Sequence, residues 1–259
     1  LLLFLVLIVG GFSLLAQLQK SHNQKEANSV STNQVNTSSK TSSAPTREKK
    51  ATSDDKSKDK IKWVKQDQQV QVPILMYHAI HVMDPSEAAN AGLIVDPTTF
   101  ESHLKALKDA GYYPLTPAEA YKVLTENVLP ENKKVVWLTF DDGVEDFYTI
   151  VYPLLKKYKM TATNNIITDF TQKEKENVLT FDQIKEMKKA GLTFESHTVN
   201  HPDLANSSLE TQKNELVASK RLLDKVLDQN TSVIVYPSGR YSQVTIDQAK
   251  KAGYKLGLT

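Results

Sequence analysis

The stretch Val135-Val136-Trp137-Leu138-Thr139-Phe140-Asp141-Asp142-Gly143 decides how this chain is read. Its first six residues are apolar or β-branched without alternation, the pattern of a strand buried on both faces in a parallel sheet. Two carboxylates follow where the strand ends, and Gly143 lets the backbone turn away at no steric cost. Adjacent side chains leaving a strand point in different directions, so one aspartate can face a metal and its neighbour a water. Taken alone, Asp-Asp-Gly is equally ordinary as a turn with a helix N-cap.

Working outward, six more apolar runs read as strands: Pro73–Tyr77, Tyr112–Leu115, Asn165–Thr168, Leu192–Glu195, Val233–Tyr236 and Tyr254–Leu258. Helical patterns lie between them. Phe100, Leu104 and Leu107 share one face of Thr98–Ala110, and Leu216, Leu223 and Val226 share one face of Leu209–Leu227. Strands separated by helices imply an α/β fold with a parallel sheet or barrel, because a parallel crossover needs a helix-sized connection. A local repeat supports this register. Lys108-Asp109-Ala110-Gly111, Lys188-Lys189-Ala190-Gly191 and Lys250-Lys251-Ala252-Gly253 each place basic residues in a last helical turn before a glycine suited to a left-handed cap.

Three further clusters sit at expected strand ends. Ser196-His197-Thr198-Val199-Asn200-His201-Pro202 carries two imidazoles four residues apart. They share a side if the loop takes one helical turn, and the spacing is frequent in zinc sites. His78 follows the first strand, and Tyr236-Pro237-Ser238-Gly239-Arg240-Tyr241 follows the sixth. In a parallel barrel the carboxyl ends of all strands meet on one rim, where active sites sit. His81 is a weaker candidate near His78, and His103 reads as a structural residue inside a helix.

Composition narrows the chemistry. The chain has 259 residues, 32 Lys+Arg against 30 Asp+Glu, a formal charge of +2 and no cysteine. Such a balance offers no field for nucleic acid, and none is expected as a partner. Without cysteine, disulfides, thiolate metal sites and thiol nucleophiles are excluded. A metal must use His, Asp or Glu, and a two-His-one-carboxylate set would suit a catalytic zinc. Residues 1–18, with only Ser13 and Gln17 polar, read as an N-terminal membrane helix or signal segment. No small-x-small cleavage site stands near Ala16, which favours a retained anchor on the extracellular face; cleavage would give a secreted protein. Residues 19–68 read as a disordered linker in which His22 is inert, and 69–259 as the globular domain.

These residues resemble the NodB-type polysaccharide deacetylases, carbohydrate esterase family 4. Thr139-Phe140-Asp141-Asp142-Gly143 matches the family's first motif and Ser196-His197-Thr198-x-x-His201-Pro202 its second, within a resemblance covering roughly Val70 to Thr259. The resemblance implies a distorted (β/α)7 barrel. It implies that Asp142, His197 and His201 hold a divalent metal, Zn2+ first and Co2+ or Ni2+ as alternatives, and that Asp141 is the general base. Tyr236-Pro237-Ser238-Gly239 falls on the third motif, making the Ser238 amide the candidate oxyanion donor. Pro237, Gly239, Arg240, Tyr236 and Tyr241 would then line the substrate.

Two features depart from the usual pattern. Val235 stands where the family has an arginine, leaving Arg240 as a guess for orienting Asp141. No histidine occurs beyond His201, so the general acid must come from elsewhere. A circularly permuted branch, which includes the poly-β-1,6-N-acetylglucosamine deacetylases, carries its acid histidine early, and the chain is similar to it with His78 as that acid. Asp84 and Asp96 are near in sequence to orient His78, with nothing selecting either. The expected activity is N-deacetylation of N-acetylglucosamine units in an extracellular polysaccharide, poly-β-1,6-N-acetylglucosamine first and peptidoglycan second. A non-catalytic glycan-binding module is the alternative from another class. A glycosidase is disfavoured, because adjacent carboxylates do not straddle a glycosidic bond at the roughly 5 to 9 Å required.

Overall fold

The computed structural model describes residues 61–259. The expected membrane segment 1–18, residues 19–60 of the expected linker and His22 lie outside the described residues. The elements follow in the order β1 (Trp63–Lys65), β2 (Ile74–Tyr77), β3 (Ala79–Ile80), β4 (Ile94–Val95), α1 (Pro97–Asp109), β5 (Tyr112–Pro114), α2 (Pro117–Glu126), β6 (Val128–Pro130) and β7 (Lys134–Phe140). Then come α3 (Tyr152–Tyr158), β8 (Thr163–Ile166), α4 (Thr168–Gln172), α5 (Phe181–Lys189), β9 (Thr193–Ser196), α6 (Leu209–Leu227), β10 (Val233–Val235), α7 (Gln243–Ala252) and β11 (Leu256–Leu258).

Strand β7 is the spine. Six of its seven residues are buried, and every ladder it makes is parallel. One flank carries β2, with Ile74–Tyr77 opposite Trp137–Phe140. The other carries β5 beside its first half and β8 beside Thr139 and Phe140. The sheet runs β11-β10-β9-β8-β7-β2 with β5 on β7, giving the seven strands expected. Parallel register puts all their carboxyl ends on one side.

Closure differs from the expected (β/α)7 barrel. Among the described residues no ladder joins β2 to β11, so the sheet is curled and open. Ile74 from one edge and Leu256 and Leu258 from the other pack into one cluster with Trp137 and Val233. Side-chain packing fills the interior where hydrogen bonds would have closed the ring. Folded structure also begins before residue 69: β1 pairs antiparallel with β6, and Trp63 packs on that same cluster. An aromatic ring in an otherwise polar approach anchors the entry of the chain.

On the outer face of the sheet, Phe140 contacts Tyr77, Phe100 and Phe147 at centroid distances of 5.1, 5.6 and 4.9 Å. These rings join β7 to β2, to α1 and to the segment after the Asp-Asp turn. The repeated helix-to-strand device is present, with Gly111, Gly191 and Gly253 at φ 74°, 99° and 96°. Strand β8 sits at 163–166, two residues before the apolar run Asn165–Thr168 suggested, and Thr168 instead opens α4. Its Thr163-Asn164-Asn165 is buried and polar, which a hydrophobic pattern does not register; Trp137 Nε1 donates to Thr163 Oγ1 at 2.8 Å.

Phe140→Ala removes the ring common to these contacts and is expected to cost about 3–5 kcal/mol. Urea unfolding of the variant against the parent checks this through a lowered midpoint at unchanged slope.

Candidate active site

The metal-ligand candidates converge because the backbone leaves each strand in an unusual conformation. Asp142 and Gly143 are both left-handed, at φ 73° and 71°, which turns the chain sharply off β7. A Cβ on Gly143 would meet Ile166 Cδ1 at 3.2 Å, so the second position of this turn suits only glycine. Asp142 Oδ1 ends 3.4 Å from His197 Nε2 and 3.8 Å from His201 Nε2. One ligand atom from each of the three residues lies within 4.8 Å of the others. Ligands about 2.1 Å from a tetrahedral zinc are about 3.4 Å apart.

Hydrogen bonding indicates what these atoms face. His197 Nδ1 lies 2.9 Å from the Val235 carbonyl, which only accepts, so Nδ1 carries the hydrogen. Nε2 on the other side of the ring therefore faces Asp142; burial would lower the His197 pKa, but Asp142 and Asp141 raise it. Asp142 Oδ1 is buried and has no hydrogen-bond partner. An orphaned carboxylate oxygen opposite two imidazole nitrogens is an arrangement that a divalent cation satisfies. Burial, then the neighbouring His197, push the His201 imidazole down to about 4, keeping it neutral as a ligand must be. Burial alone would raise the Asp142 carboxyl, but His197, His78 and His201 hold it down at about 2.

The two histidines do not meet through a helical turn, as their spacing suggested. Thr198 and His201 adopt φ 69° and 59°, and the loop between them is irregular. These left-handed residues bring the rings to a centroid distance of 4.7 Å at 75°.

Asp141 points elsewhere. Its amide donates to the Tyr77 carbonyl at 2.9 Å, and its Oδ1 accepts from Asn165 Nδ2 at 2.7 Å. Asn165 on β8 is therefore what orients this carboxylate. Arg240 does not: it is exposed and pairs with Asp203 at 3.5 Å. The Asn-Asn pair of β8 carried no motif, and only the adjacency of β7 and β8 exposes its role.

His78 leaves β2 on the opposite flank of β7 from Asn165. It is close enough for its charge to act on both Asp142 and His201. Asp84 and Asp96 do not orient it. Each is a helix N-cap, accepting from Ser86 N and Thr98 N at 2.8 Å. His81 is held between Asp146 and Glu87, at 3.2 and 3.1 Å; burial would lower its pKa, but these carboxylates raise it. His103 is structural, with Nδ1 3.1 Å from the Tyr77 hydroxyl.

Beyond β10, the Gly239 and Arg240 amides close a turn onto the Tyr236 and Pro237 carbonyls at 2.9 Å. Ser238 is exposed and left-handed at φ 53°, and its amide has no hydrogen bond among the described residues. Tyr236 is buried and stacks on Tyr241 at 5.0 Å, leaving Tyr241 44% exposed beside the turn.

Known proteins match this arrangement. The sequence pattern defining the family Polysaccharide deacetylase fits residues 129–257. A Bacillus subtilis (strain 168) protein assigned to the polysaccharide deacetylases, YxkH, is 40% identical over 213 residues, covering 82% of this chain and 73% of the relative. The chain belongs to the polysaccharide deacetylase family. The poly-β-1,6-N-acetyl-D-glucosamine N-deacetylase of Staphylococcus aureus (strain MSSA476) is 34% identical over 177 residues, 64% of this chain and 60% of the relative. Among solved structures, the Streptococcus pyogenes deacetylase PplD in complex with acetate superposes with a TM-score of 0.71 at 54% identity, covering 74% of this chain and 84% of that one. This polysaccharide deacetylase is therefore a hydrolase, and its Asp142, His197 and His201 lie close enough together to hold a metal ion.

Two outcomes are expected. Asn165→Ala, which releases Asp141 from its hydrogen bond, is expected to keep zinc binding but to lose about tenfold in kcat, checked by calorimetric zinc titration alongside an activity assay. The second concerns acid. His201 has its folded pKa lowered from 6.5 to about 4, so the native state favours the neutral ring, and stability complete above 6.5 is lost as pH falls toward 4. Metal-free protein should melt at steadily lower temperature between those values, and His201→Gln should flatten the dependence.

Proposed function

We propose that this deacetylase removes acetyl groups from N-acetylglucosamine units of an extracellular polysaccharide, with poly-β-1,6-N-acetylglucosamine the first substrate and peptidoglycan the second. The observation carrying the reading is the converging Asp142-His197-His201 set with a separately held carboxylate, Asp141, next to it in the chain. A pure binder has no need of a base beside a cation site. The substrate choice draws on the Staphylococcus aureus relative and on an acid-histidine candidate that precedes the Asp-Asp motif.

Asp142, His197 and His201 would hold the ion, zinc first. Such an ion supplies Lewis acidity to the acetamide carbonyl and makes the attacking water more acidic. Asp141, with Oδ1 fixed by Asn165, keeps Oδ2 to take the proton from that water. The Ser238 N–H donates to the carbonyl oxygen as it gains charge. His78, arriving from the other flank of β7, gives a proton to the departing amine. Water and the acetamide thus become acetate and a free amine. The stacked Tyr236 and Tyr241 offer an aromatic face for a sugar ring. An anchor at residues 1–18 would hold the domain on the outer face of the membrane, where new cationic amines would alter how the polymer adheres to an anionic surface.

The test is acetate release from β-1,6-linked N-acetylglucosamine oligomers with added zinc, compared with peptidoglycan fragments. Asp141→Asn is expected to lower kcat by about 10²- to 10⁴-fold while zinc stays bound, and His78→Ala to lower kcat without weakening zinc. An unchanged rate in Asp141→Asn would refute the assignment of the base. Faster turnover of peptidoglycan fragments would overturn the order of substrates.

A further inference from the structure

Between the two histidine ligands runs an irregular stretch, Thr198-Val199-Asn200, whose backbone polar groups need partners that no regular element supplies. Its carbonyls are met from one side. Thr168 N and Asp169 N, in the first turn of α4, donate to Thr198 O and Val199 O at 3.1 and 3.0 Å. The Thr198 amide donates to Ser196 Oγ at 3.2 Å, and the other two amides are met by a single side chain. Glu215 Oε2 on α6 accepts from Val199 N at 2.8 Å and from Asn200 N at 2.9 Å, and Oε1 accepts from Asn200 Nδ2 at 2.8 Å. Two successive amides following the left-handed Thr198 form a small anion-binding concavity, and the Glu215 carboxylate fills it. Glu215 is only 7% exposed, and a carboxylate is not placed in so dry a position without hydrogen bonds to offset its desolvation.

We propose that Glu215 is a positioning residue for the metal centre: it holds the Val199–Asn200 amides so that the chain re-emerges with His201 facing His197 and Asp142. His197 is fixed independently, by β9 and by the Val235 carbonyl. His201 is not. Its own hydrogen-bonded backbone contact is to Thr198 Oγ1 at 3.0 Å, inside the same loop. Removing Glu215 therefore frees one ligand of three. Acceptor geometry matters more than charge here, because one oxygen already serves both amides. A glutamine Oε1 can take both bonds, whereas an aspartate keeps the charge and falls one methylene short.

The inference rests on the metal-centre reading above, and the experiment separates the two. Zinc affinity is measured by competition with a chromophoric chelator for the parent, Glu215→Ala, Glu215→Asp and Glu215→Gln, with thermal unfolding of each metal-free protein in parallel. The expected result is a loss of about 10- to 100-fold in zinc affinity for Ala and Asp, and near-parental affinity for Gln. If Glu215→Ala fails to fold, the Asp and Gln pair carries the test. Parental zinc affinity in Glu215→Asp, or equal losses in Asp and Gln, would overturn the proposal. A variant that loses melting temperature without losing zinc affinity would make Glu215 a stability residue only and would equally overturn it. A parent that binds no zinc would instead sink the metal-centre reading.

Discussion

Three ligand-type atoms turned toward one another where β7 and β9 end form the constraint on which the rest of this structure depends. Asp142 Oδ1, His197 Nε2 and His201 Nε2 converge within 4.8 Å of one another, and the Val235 carbonyl keeps the His197 ring from turning away. Left-handed backbone at Asp142, Thr198 and His201 adds local strain of the kind that persists only where surroundings over-determine it. Here the surroundings do so: β7 fixes the first residue, β9 and β10 fix the second, and the α4 and α6 helices grip the loop that bears the third.

The same logic separates the two adjacent aspartates. Asp142 is turned into the triad by its left-handed backbone, and Asp141 still bonds to β2 through its amide while Asn165 reaches its carboxylate. Chemistry that needs a Lewis acid and a base side by side requires two carboxylates that never compete for one partner. Consecutive residues at a strand end meet that need at no cost in chain length. The open sheet contributes as well. Since β2 is an edge strand lying next to β7, His78 follows it on the flank of β7 opposite Asn165.

Much of this was legible in the sequence. Residues 135–143 announced a buried strand ending in two acids, the basic-Ala-Gly repeats marked three helix ends, and the histidine pair pointed to the two imidazoles that converge on Asp142. Each is a local signal: burial pattern, cap chemistry or ligand type over a handful of residues. Sequence order also placed His78, the acid candidate that the family resemblance implies, before the Asp-Asp motif.

Other features were decided only in three dimensions. Asn165 and Glu215 carry no motif, since an amide or a carboxylate acquires meaning from the group opposite it, and β8–β7 pairing and the α6–loop contact join residues 24 and 15 or more positions apart. Arg240 was drawn to Asp203 because its turn faces outward, a direction the order of residues does not encode. The histidine spacing implied a helical turn, yet hydrogen bonds from two helices stabilise a left-handed kink in its place. Whether the sheet closes likewise depends on how two short edge strands meet across an apolar interior. Sequence determined which groups this protein brings to its rim; the tertiary structure determined their directions, because direction is set by partners distant in the chain.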